Sequence, residues 1–227
     1  MTSRLFGLAA LPYWAAILPL ATITTTYVVA ASVDHVATCV PYLSGCTSVS
    51  STGRMAPESL IFRAGLLPAA VALILFWHRC AMFLELNGDA SARVPALKLV
   101  GVVLALSLVL YALTLGFEDG MYPRLRRIGM SGFAIGPFVA ELLFIFAYKP
   151  LRRSDTSRIW MWLVVLCAAL PTLDLVSEAI KWAGVEGNSP DHFATWNAFI
   201  VASAFYLLVG LTWRRHGFRS DSRIVAV

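Results

Sequence analysis

Charge is what this chain has least of. Only 14% of its 227 residues are Asp, Glu, Lys or Arg, against roughly a quarter in a soluble domain, while 59% are hydrophobic, more than a water-soluble fold can hide. An ordinary soluble domain is excluded. A soluble helical bundle would need charged faces at helical period, and none of the apolar stretches has one. Motifs of catalysis are missing too: the sequence contains no GxSxG elbow, phosphate-binding loop, CxxC pair or HExxH helix. Serine-hydrolase, nucleotide and zinc-protease chemistry therefore have no local signature, and no residue is assigned as catalytic.

Long apolar runs fill the space that charge leaves. A membrane-spanning helix takes about 20 largely apolar residues, and six such stretches occur, at about 9–31, 60–84, 96–117, 129–148, 159–181 and 195–213. They predict an all-α, polytopic six-helix transmembrane bundle, with residues 1–227 forming one integral membrane domain and a long loop, 32–59, joining the first two spans. The first run is too long for a signal-peptide core and lacks a strongly basic start, so it reads as a retained span.

A net charge of +5 would suit a nucleic-acid binder, but its distribution follows topology. With the N-terminus in the cytoplasm, twelve of the 18 basic residues fall on that side, among them Arg4, Lys149, Arg152, Arg153, Arg214, Arg215, Arg219 and Arg223. Six fall on the other: Arg54, Arg63, Arg124, Arg126, Arg127 and Lys181. This is the bias of basic residues retained inside. Both termini are expected in the cytoplasm, the loop 32–59 outside or in a lumen, and nucleic acid is not an expected partner. In that compartment Cys39 and Cys46 can form a disulfide; Cys80 and Cys167 lie at or within spans.

Ionisable residues inside a bilayer need a partner or a purpose, since each costs about 2.5–3.5 kcal/mol to insert. Glu141, Asp174 and Glu178 qualify. Asp174 and Glu178 stand four apart on one helical face and are expected to point into the bundle or a wet cavity; Lys181 and Arg63 are the alternative, purely structural, partners. Glu141 with Asp174 could form a proton relay, although six spans without an inverted repeat of broken helices speak against a transporter. His35 and His192 each follow an aspartate near the outer boundary, where an imidazole can act as a base. A zinc centre would want a third histidine; His78 and His216 fall on the opposite side, so no metal and no cofactor is expected. Gly129, Gly132 and Gly136 form a small-residue face suited to close helix approach, a candidate surface for a membrane-protein partner.

The loop carries a family resemblance. His35-Val36, Pro41-Tyr42-Leu43-Ser44, Gly53 and Pro57-Glu58-Ser59 with Phe62 resemble the H-V, P-Y-I-S, T-G, P-E-S, F signature of the damage-regulated autophagy modulator (DRAM), FRAG and SFK family. That family includes the GPI-anchor lipid-remodelling factors and the N-terminal domain of the yeast cell-wall protein CWH. The chain departs from the pattern where the compact Ser-Asp-Thr-Gly run is replaced by Ser44-Gly45 and an insertion through Cys46 to Thr52-Gly53. The resemblance implies a six-span protein that handles membrane lipid or a lipid-linked group, or else a membrane scaffold. Combined with the residues above, it places His35, Tyr42, Ser44, Glu58, Asp174, Glu178 and His192 around a polar cavity beneath the outer loop.

Overall fold

The computed structural model describes residues 10–89, 91–151, 156–184 and 187–218. Arg4, Arg152, Arg153, Arg219 and Arg223, which enter the charge bias, lie outside the described residues. Helices dominate: α1 (Leu11–Ser32), a single turn α2 (Pro41–Ser44), α3 (Glu58–Leu86), α4 (Arg93–Thr114), α5 (Tyr122–Tyr148), α6 (Ser157–Trp182) and α7 (Ser189–Arg215), with no strand among the described residues. All but α2 are long and apolar enough to cross a membrane. The chain is a multi-pass integral membrane protein.

Two spans start earlier than hydropathy alone predicts. Pro123 and Pro190 each sit in the first turn, where proline's missing N–H costs nothing and its φ already suits a helix. Arg124, Arg126 and Arg127 therefore ride on the opening turns of α5, and Asp191 and His192 on those of α7. Conversely, α4 stops at Thr114, short of the expected 117. Gly116 follows at φ +90°, passing so close to the Arg54 carbonyl that a Cβ would stand 2.7 Å from it.

Successive spans alternate in direction, so the loop between α1 and α3 lies at one end of the bundle and the described chain begins and ends at the other. Arg214 accordingly lies over the Tyr13 ring, 5.4 Å from its centroid. Around the bundle the order is α1, α3, α4, α5, α6, α7 and back to α1, every seam being extensive except that between α5 and α6. A buried aromatic cluster ties the middle together, with Phe76 and Trp77 of α3 against Phe205 and Tyr206 of α7, and Phe144 of α5 against Phe205.

The glycine face of α5 turns out to be occupied from within. A Cβ at Gly129 would meet Tyr111 N at 2.7 Å, at Gly132 it would collide with Ser107 Oγ, and at Gly136 it would meet Leu104 Cβ at 2.9 Å. All three contacts are to α4, so these glycines serve close packing inside the chain, and an outside partner there would have to displace a span. Burial also shows which span faces most outward. It is α6, with only 11% of its most apolar stretch buried inside the protein against 33% or more for the others.

Candidate functional site

At the loop end the chain leaves α1 through a Schellman turn. Asp34 takes the left-handed conformation at φ +58°, which aspartate tolerates better than most residues. The His35 N–H reaches back to the Ala30 carbonyl and the Asp34 N–H to that of Ala31, the two bonds that close a helix C-terminus. This turn aims His35 at the start of α3. There its Nδ1 lies 2.7 Å from Oε1 of Glu58, a first-turn acid that is itself fully buried. Among the described residues Oε2 of Glu58 has no hydrogen-bond partner, and the His35 side chain remains 27% exposed. The pair is a buried carboxylate orienting a partly exposed imidazole, the arrangement that fixes a histidine's tautomer and orientation.

The remainder of the loop is bolted to α1 and α7. Tyr42 Oη is 2.7 Å from Thr24 Oγ1, and burial pushes the Tyr42 phenol above its ordinary range despite that bond. Asn197 Nδ2 donates to the Tyr42 carbonyl at 2.9 Å, Trp196 Nε1 to the Thr47 carbonyl at 2.8 Å, and His192 Nδ1 lies 3.1 Å from the Gly45 carbonyl. The Trp196 ring packs edge-on to both Tyr42 and Tyr27, while the Tyr27 hydroxyl accepts from Cys39 N–H at 2.8 Å. A Cys39–Cys46 disulfide closes this segment. Gly45, at φ +59°, is pressed onto the first turn of α7, where a Cβ would collide with the Ser189 carbonyl oxygen. Ser44 is exposed and donates to the Val40 carbonyl.

Asp174 and Glu178 occupy a neighbouring position with a different outlook. Both are exposed on α6, because α6 is itself peripheral. Buried Ser177 turns inward instead and donates to Asp191 Oδ1 at 2.5 Å. Lys181 bridges Glu178 at 2.6 Å and Asp191 at 3.0 Å, the structural pairing raised as an alternative. Arg63 does not take part: its Nη2 donates to the Leu115 carbonyl at 2.9 Å and its guanidinium lies over Phe117. The first turns of α7 thus hold the loop through His192 and α6 through Asp191. At the same end Arg126 pairs with Glu118 at 3.1 Å and holds that exposed carboxyl below its ordinary range.

Glu141 stands apart from all of these. It is fully buried in α5, its carboxyl beside the Cys167 thiol of α6 and Tyr206 within its electrostatic reach. Asp174 is seven residues beyond Cys167 along α6, about 10 Å of helix, with Pro171 and a Thr172 hydroxyl already bonded to the Ala168 carbonyl between them. The structure therefore offers no hydrogen-bonded path joining Glu141 to Asp174 among the described residues. Nor, among those residues, do three His, Cys, Asp or Glu side chains gather as a metal site would require.

The structure thus joins His35 to Glu58, seats Tyr42 and the Gly45 carbonyl on α1 and α7 with His192, and keeps Asp174 and Glu178 on the adjoining outer face. Sequence reading passed over Thr47 and Asn197. Asn197 carried a usable signal, since an amide inside an apolar run is costly without a partner.

A family model described as Frag1/DRAM/Sfk1/Cwh43P N-terminal domain matches residues 7–177, well over half of the chain. The match takes in the loop and His35–Glu58 and ends before α7. No curated protein and no solved structure matches.

Proposed function

Because the chain belongs to the Frag1/DRAM/Sfk1/Cwh43P N-terminal domain family, we propose that its loop end handles a membrane lipid or lipid-linked group, with the His35–Glu58 pair as the polar centre. The observation that supports this reading is the Glu58 carboxylate, sealed from solvent at the start of α3 with one oxygen on His35 and the other unpaired. Burying an acid with a free oxygen is expensive, and an incoming polar group would satisfy it. Among the described residues nothing takes His35 Nε2, which leaves that nitrogen to meet a headgroup hydroxyl, amine or phosphate through a charge-assisted bond. In this reading the loop faces the exterior or a lumen and both termini the cytoplasm, as the basic bias suggests, and the lipid arrives from the outer leaflet.

Purification in mild detergent followed by mass spectrometry of bound lipid tests the proposal, comparing the wild type with Glu58→Gln and His35→Ala. Occupancy by the native lipid falls several-fold in both variants, while elution profile and thermal midpoint stay close to wild type. Unchanged occupancy in two well-folded variants would remove the pair from any lipid-handling role.

A further inference from the structure

In the half of the bundle away from the loop, the thin α5–α6 seam opens into a groove of about 510 Å³, within the range of ligand pockets. Its walls are apolar, with Phe138, Leu142 and Phe146 from α5 and Val164 and Ala168 from α6. Lys149 also lines it, where the chain leaves α5 in a short 3-10 turn. From Phe138 to Lys149 the groove follows eleven residues of helix, about 16 Å, close to half of a hydrocarbon core about 30 Å thick. That is the depth of one leaflet.

Shape and charge therefore agree. An apolar slot one leaflet deep, open sideways to the bilayer and ending at an ammonium group at headgroup level, is complementary to a lipid with one acyl chain in the slot and a phosphate beside the lysine. Among the described residues no carboxylate pairs with Lys149. Beneath the groove, Cys167 both lines the wall and neighbours the buried Glu141. Glu141, three residues after Phe138 and four before Ile145, occupies the buried edge of the same face of α5.

We propose that the α5–α6 groove is a binding site for one anionic phospholipid of the leaflet opposite the loop, an acyl chain filling the slot and the phosphate resting on Lys149. This site is separate from His35–Glu58 and does not depend on the loop-end reading. It is tested with the full chain in detergent, given an equimolar mixture of dioleoyl phosphatidylglycerol and dioleoyl phosphatidylcholine, by counting retained lipid with native mass spectrometry. The wild type retains the glycerol lipid over the choline lipid by about fivefold, the preference that one basic side chain confers near a headgroup. Lys149→Gln brings the ratio near parity while total lipid is kept; Ala168→Trp, which fills the slot, loses both lipids. Lys149 is exposed, so its variant decides the matter even if Ala168→Trp misfolds. Parity in the wild type, an unchanged preference in Lys149→Gln, or undiminished lipid on a folded Ala168→Trp protein would each overturn the site.

Discussion

Where α1 and α7 meet beneath the loop, Tyr27, Tyr42, Trp196 and Asn197 each make a directed polar bond as well as a packing contact. Where α5 faces α6, Phe138, Leu142, Val164 and Ala168 line a groove across which the Cys167 thiol makes weak polar contacts, to the Phe138 carbonyl at 4.0 Å and to the Glu141 carboxyl. Both seams join the same kind of apolar helix in the same solvent. In a bilayer, apolar surface gains nothing by leaving lipid for protein, so helices associate through close packing and hydrogen bonds. A seam provided with those is closed; one lined by large side chains of uneven size is left for lipid to fill.

Substitutions of graded severity break or sharpen that contrast, each read as thermal unfolding followed by circular dichroism in detergent. Trp196→Ala has the largest effect. It removes a fully buried ring and leaves the Thr47 carbonyl without its donor, a loss of about 3–5 kcal/mol for a core aromatic. A melting curve like that of the wild type would mean that the loop does not need α7. Gly45→Ala comes next, because it sets a Cβ against the Ser189 carbonyl at a positive φ; overpacking of about 1–3 kcal/mol adds to a left-handed penalty of about 1–2 kcal/mol. If alanine is tolerated there, the loop is not pressed onto α7 as described.

Replacing both Cys39 and Cys46 with serine costs about 2.5 kcal/mol by the chain-entropy argument for so short a loop. A cost near zero would show that the hydrogen bonds to α1 and α7 already hold the segment. On the other seam, Thr172→Ala removes an exposed hydroxyl bonded only to its own helix and shifts stability by less than about 0.5 kcal/mol. A large loss at Thr172 would erase the distinction between the two sides.

The six spans could be read because lipid leaves a one-dimensional signature, a run of apolar residues of fixed length. Their ends were less legible: Pro123 and Pro190 extend helices into polar sequence that hydropathy counts as loop. His35 and Glu58 stood out as histidine and acid flanking a loop, but their contact depends on the left-handed turn at Asp34, which spacing alone does not reveal. The exposure of Asp174 and Glu178 was hidden for a different reason. Helical period shows which residues share a face, whereas the direction of that face is set by how α6 sits among its neighbours. The glycines of α5 told of a close approach without telling which helix approaches; Ser107 and Tyr111 of α4 supply the answer.

The loop is held by two spans made far apart in time, α1 and α7. Tyr27 and Thr24 enter the membrane with α1, whereas His192, Trp196 and Asn197 arrive only after α3, α4, α5 and α6 have been threaded in. Until then Cys39, Tyr42 and Gly45 have half of their attachments and the Thr47 carbonyl lacks its indole. A nascent chain interrupted before residue 189 would display an unseated segment to whatever surveys that face of the membrane, so completion of the loop signals that α7 has been inserted.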